Sequence, residues 1–132
     1  MDICTQIKAA RDCGVVHCAY VRGSLSLVEL AEHSGLATTP GTYREIPAAT
    51  ARRLAIRILT HDLAYQCELV SPVIADRLVD SYLSAFAAPG HRYFTNVLGD
   101  PSSAERFCLD SWAAATRATF DAGVLILGPE LA

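Results

Sequence analysis

A chain of 132 residues with 52% hydrophobic residues, a mean hydropathy of +0.26 and a net charge of −3 has room for one domain, spanning 1–132, with a substantial core. No apolar run approaches the roughly 18 residues of a membrane span. The opening Met1-Asp2-Ile3-Cys4 does not read as a secretory signal, so a cytoplasmic protein is expected, and its acidic balance argues against nucleic-acid binding, which draws most of its affinity from a basic patch.

In chain order, Ile3 to Val21 winds into a helix with Ile3, Ile7, Ala10, Gly14, His17 and Val21 on one seam. Cys13, Cys18 and Tyr20 flank that seam, and Lys8, Arg11 and Asp12 face outward. Arg22-Gly23 stops the helix. Ser26-Leu-Val-Glu29 is a capping box, with Leu25 and Leu30 at hydrophobic-staple positions, and the short helix it opens ends at Gly35. Residues 3 to 34 therefore read as an αα-hairpin. The stretch from Leu36 to Ile46 has no period and reads as a loop, with Pro40-Gly41 at the centre of a type II turn.

Pro47 opens a second helical pair, broken once at Val70-Ser71-Pro72. The first member runs to about Leu69 and is apolar over more than half its circumference, so it should be covered on more than one side. Asp62 and Gln66 fall inside that apolar arc and predict a buried polar network with an Arg or hydroxyl from another element, because an unpaired buried carboxylate is costly. The second member turns Ile74, Ala75, Leu78, Val79, Tyr82, Leu83 and Phe86 inward and Asp76, Arg77, Asp80, Ser81 and Ser84 outward. After Pro89-Gly90, Arg92 to Leu98 has strand composition. Ser102 and Glu105 open another helix, which carries Phe107, Cys108, Ser111, Trp112, Ala115 and Ala118. Val124 to Leu127 is a short apolar strand that must pair with the 92–98 segment or with a partner. The expected architecture is mainly α, about five helices in one compact domain, with an N-terminal αα-hairpin, a central helix pair and a small C-terminal β element.

Five cysteines at 4, 13, 18, 67 and 108 do not form a disulfide pattern and suit a reducing compartment. Of eleven basic residues only Lys8 is lysine; with abundant alanine, that is the composition of a GC-rich genome, as in a bacterium or its phage. Cys13 and His17 stand one helical turn apart, a spacing that suits a thiol or zinc site, but two further ligands have no evident source. A packed cysteine and a core histidine are the favoured reading, and neither a metal nor a cofactor is expected.

Arg44, Arg52, Arg53 and Arg57 gather near the start of the central helix, where cations need acidic company; Glu45 or the Asp76/Asp80 face would supply it more simply than a bound phosphate. Asp76 and Asp80 are a like-charged i,i+4 pair, unfavourable within an isolated helix and useful for meeting a basic partner. No nucleophile elbow, phosphate loop or HExxH is present. The expectation is a non-catalytic, acidic protein-binding module of the bacterial antitoxin or immunity type, which inhibits a partner through Asp76, Asp80, Glu68 and Arg77. The alternatives are a small enzyme using His17, His61 and Asp62 with a cysteine, and an obligate homodimer with its surplus apolar surface at the interface.

Overall fold

A computed structural model of the chain describes residues 2–11, 16–61, 68–97, 122–129 and 131. Among these residues there are four α-helices: α1 (Ile3–Ala10), α2 (Leu27–His33), α3 (Ala48–Thr60) and α4 (Pro72–Leu83), the last continued by a 3-10 turn over Ser84–Phe86. Three strands, β1 (Arg44–Ile46), β2 (Arg92–Thr95) and β3 (Val124–Leu127), form an antiparallel sheet in the order β1-β2-β3. The domain is thus small and mixed α/β, which corrects the mainly α expectation of about five helices. The helix expected after Ser102 lies outside the described residues.

The first correction starts at Arg11. Asp2 caps α1 by accepting the Thr5 amide at 3.0 Å, but the helix stops at Ala10 instead of running to Val21. Arg11 leaves helical geometry and is buried, donating from Nε to the Ile58 carbonyl at 2.8 Å near the C-terminal end of α3. A guanidinium there satisfies a terminal carbonyl and opposes the negative end of the helix dipole. Its outward assignment was wrong because this use of Arg11 depends on an element 47 residues away. Residues 16–21 return as an irregular strap, so the αα-hairpin is not formed as expected.

Cys4 and Cys18 are joined in a disulfide, with Cα atoms 5.2 Å apart. In one continuous helix they would be separated by about 21 Å along the axis; breaking the helix is what brings them together. The reading of the cysteines as carrying no disulfide is corrected by this bond.

α2 forms as its local chemistry requires. Glu29 N donates to Ser26 Oγ and Ser26 N donates to Glu29 Oε1, both at 3.1 Å. At its other end Leu36 N reaches Ala31 O at 2.8 Å and Gly35 N reaches Glu32 O at 3.1 Å, a Schellman closure that uses Gly35 at φ +72°. The turn over 39–42 also has its expected form, with Gly41 at φ +84° and Thr42 N donating to Thr39 O at 3.2 Å.

Beyond that turn the chain enters β1 where a loop was expected. Three residues are too few to display an alternation, and their strand character comes from pairing Arg44, Glu45 and Ile46 with Thr95, Phe94 and Tyr93. On the other side β2 pairs Arg92 to Thr95 with Leu127 to Val124. The apolar C-terminal strand therefore finds its pairing partner inside the chain, along its β2 edge.

α3 lies between two apolar clusters. Leu59 joins Ile7 of α1, Val70 just before α4, and Ala75, Leu78 and Val79 of α4, while Ala51 and Leu54 join Ile46 and Val97 from the sheet side. This explains its broad apolar arc. The helix ends at Thr60, about two turns before the expected Leu69: His61 is extended at φ −131° and ψ 143°. The Thr60 hydroxyl bonds back to Arg57 O at 3.2 Å, and Thr60 O accepts from Leu69 N at 2.7 Å as His61 and Glu68 make an antiparallel bridge. Asp62 and Gln66, the expected buried network, lie outside the described residues. On α4, Ile74 is 42% exposed and so does not face inward as expected, whereas Ala75, Leu78, Val79 and Phe86 are buried.

Candidate functional site

The outer face of α4 collects the residues expected to meet a partner. Val73, Asp76, Arg77 and Asp80 recur at helical spacing and lie on one exposed stripe. Pro72 at the first helical position and Ser71, whose Oγ accepts the Ile74 amide at 3.3 Å, fix where the stripe begins. Glu68 is exposed just before it. Val73 is 81% exposed, the most open large apolar side chain among the described residues. Sequence reasoning did not single it out, although its phase on α4, three residues before Asp76 and seven before Asp80, places it on the same outer stripe.

Arg52 reaches across from α3 to this face. Its Nε donates to Asp80 Oδ1 at 2.8 Å and its Nη2 to Asp76 Oδ1, so one guanidinium holds both carboxylates. These hydrogen bonds keep Asp80 below the ordinary carboxylate range and push the Arg52 guanidinium up. The like-charged pair is thus explained by a cation from the neighbouring helix. With Arg77 alongside, the stripe is mixed in charge, not uniformly acidic. Asp76 and Asp80 nevertheless stay 53% and 58% exposed and keep oxygens open to solvent.

The clamp is exposed, so its contribution to stability is small and screened. Arg52→Ala is expected to lower Tm by only a few degrees at low salt, and by less in about 1 M salt. A thermal melt at each ionic strength measures this; a loss that does not respond to salt would show that packing of the Arg52 stem dominates.

The other arginines of the cluster also meet groups of the protein. Arg44 Nε donates to Val97 O at 2.9 Å, and Arg57 Nη1 lies 3.2 Å from His61 Nδ1. Glu45 is bound by Arg92 through two 3.0 Å hydrogen bonds, which hold its carboxyl below the usual range. The anticipated acidic company is therefore found at Asp76 and Asp80 for Arg52, while Glu45 serves the sheet.

The residues of the enzymatic alternative have separate surroundings. His17 is exposed on the strap, and Cys18 is committed to its bond with Cys4. His61 is half-buried, with Nδ1 2.8 Å from Thr60 Oγ1. Burial first, and then the Arg57 guanidinium, lower its pKa, with Glu68 opposing. Neutral His61 is favoured in the fold, so its contribution is present above the ordinary histidine pKa and lost as pH falls. Cys13 lies outside the described residues. Among the described residues, no group of three His, Cys, Asp or Glu side chains is placed to hold a metal ion.

Two further polar constructions escaped sequence reasoning. Thr95, 1% exposed, donates from Oγ1 to Gly123 O at 2.8 Å and accepts the Val97 amide at 3.1 Å, while Asn96 Oδ1 accepts the Gly123 amide at 2.9 Å. This clasp fastens the two ends of the long connection between β2 and β3. The second joins strap to helix: Tyr20 OH donates to Tyr82 O and Tyr82 OH donates to Ala19 O, each at 3.0 Å, with the rings stacked at 4.8 Å. Phe86 stacks on Tyr20 at 5.6 Å and meets the edge of His91 at 5.5 Å. Gly128 packs so closely on the His91 ring that an added Cβ would collide with it and lie 2.8 Å from the Leu131 carbonyl.

A shallow, open hollow beside α2 is lined by Leu25, Glu29, Glu32 and His33. It lacks the enclosure that a small-molecule site uses to desolvate its ligand. Among the described residues, no helix is long and apolar enough to cross a membrane. Set against models of known protein families, curated proteins and solved structures, the chain matches none.

Proposed function

We propose that this chain is a non-catalytic protein-binding module of the antitoxin or immunity type, acting in the cytoplasm and inhibiting a partner protein through the outer face of α4. The observation that carries this reading is Val73, 81% exposed beside a charged group already held in place by Arg52. An exposed apolar side chain next to preoriented carboxylates offers a partner both a desolvated contact and directional hydrogen bonds. The outward oxygens of Asp76 and Asp80 suit a basic residue on that partner, and Arg77 and Glu68 set the pattern of charge around it. Because Arg52 neutralises part of the face, recognition depends on fixed geometry more than on long-range attraction.

The test is affinity capture from lysate of the native host with the unmodified chain and with Val73→Arg, after circular dichroism has shown that both are folded. One protein should be retained in stoichiometric amount by the unmodified chain, and at least about 10-fold less by Val73→Arg, as for a central contact of an interface. Equal retention by both would remove α4 as the binding face. A monomer that retains nothing and turns over a substrate would remove the binding-module reading altogether.

A further inference from the structure

We infer that the Cys4–Cys18 disulfide is a redox-responsive staple that decides whether the 16–21 strap is clamped onto α1 and α4. This goes beyond the binding role and does not depend on it. The strap has no regular secondary structure of its own. It is held covalently at Cys18, by the packing of Val16 and Cys18 on the α1/α4 cluster, and by the reciprocal tyrosine bonds between Tyr20 and Tyr82. Cys18 and Tyr20 are two residues apart, so the bond places the strap directly beside its aromatic dock. Cys4 is buried on α1, while Cys18 is only half-buried. Of the two residues Cys18 is the more exposed, which makes the strap side the more open approach to the bond.

Reduction by a dithiol balances without any other participant. A thiolate of the dithiol attacks Cys18 Sγ, the sulfur–sulfur bond breaks, and Cys4 leaves as a thiolate that takes up a proton. The second thiol of the reductant then resolves the mixed disulfide, its thiolate displacing Cys18, which is protonated in turn. Two electrons pass to the chain, which ends with two thiols, while the reductant ends as a disulfide. In a reducing compartment the pair rests as thiols with the strap free to lift; under an oxidant it closes. Fourteen residues of sequence separate the two cysteines, and closing a loop of that size restricts opening by on the order of 100-fold in the chain-entropy account.

The experiment uses the full chain, equilibrated with glutathione disulfide or with dithiothreitol, and combines non-reducing peptide mapping with amide hydrogen exchange. Oxidised protein should yield the linked Cys4–Cys18 peptide. On reduction, exchange in 16–21 should accelerate by on the order of 100-fold, while α2 is unchanged. Cys18→Ala should show the fast exchange under both conditions, and its α2 protection reports whether it is folded. Failure to form the linked peptide under glutathione disulfide would overturn the inference. A linked peptide whose reduction leaves strap exchange unchanged would overturn it equally, since the strap would then be held by packing alone.

Discussion

Leu54→Ala is expected to destabilise the protein by about 3–4 kcal/mol. Leu54 is 0% exposed and is the largest fully buried side chain among the described residues. It packs with Ile46, Ala51 and Val97, and Ile58, Tyr93, Ala122 and Val124 close around that group. The neighbours come from α3, from all three strands and from residues adjoining them, which limits how far any one can move to fill the space. An incompletely collapsed cavity adds to the lost transfer free energy, which places the loss near the middle of the range for such truncations. Against a total of about 5–15 kcal/mol for a domain, the variant loses a large share of its stability. Urea denaturation measures the loss directly, and Tm should fall by roughly 10 °C. Leu54→Met conserves volume and should cost less than about 1.5 kcal/mol. A loss below about 1 kcal/mol for the alanine variant would contradict the packing of α3 against the sheet.

What the sequence made legible was chemistry completed within a few residues. The Ser26/Glu29 box, the Gly35 stop, the Pro40-Gly41 turn and the Ser71-Pro72 start all formed as their residues require, because each bond joins groups three to five positions apart. The errors came where distant partners decide. Hydrophobic periodicity continued a helix through 11–21, yet Arg11 is buried against α3 and the Cys4–Cys18 bond holds residues 16–21 as an irregular strap beside α1. Periodicity likewise carried α3 past Thr60, where the bridge between His61 and Glu68 ends it. β1 was hidden because three residues show strand character only through β2. Of the candidate site, the exposure of Asp76, Arg77 and Asp80 followed from helical phase. That this face would give acidic company to the arginine cluster was also legible, but not that Arg52 alone would hold both carboxylates, since the clamp joins residues 24 and 28 positions apart. The like-charged pair was nevertheless a usable signal: two carboxylates one turn apart in an unfavourable arrangement imply a cation that the helix itself does not provide.

Tyr82 should make the protein sensitive to alkali. Its ring is stacked against Tyr20 and lies tilted against Phe86, and its hydroxyl donates to Ala19 O at 3.0 Å. Burial, with a smaller contribution from Tyr20, pushes its pKa up from 10.0 to about 12. A phenolate loses the hydrogen bond it donated and faces a carbonyl oxygen instead, so the folded state resists ionisation more than the unfolded chain does. Because the folded pKa is the higher one, the stabilisation is fully present below pH 10 and is lost as pH rises from 10 to about 12. The two-unit displacement corresponds to roughly 3 kcal/mol, reduced to about 2 kcal/mol because the hydroxyl end lies near solvent. Tyr82→Phe separates this from packing. It keeps the ring stack and should cost only about 1 kcal/mol at neutral pH, the net worth of one hydrogen bond, but most of the stability loss between pH 10 and 12 should disappear. Tyr82→Ala removes the stack as well and should cost about 2–4 kcal/mol at every pH. Urea denaturation of the three proteins at pH 7, 10 and 12 distinguishes these outcomes. An alkaline loss that is the same in Tyr82→Phe would assign it to another group, with Tyr20, itself raised by burial, the first to examine.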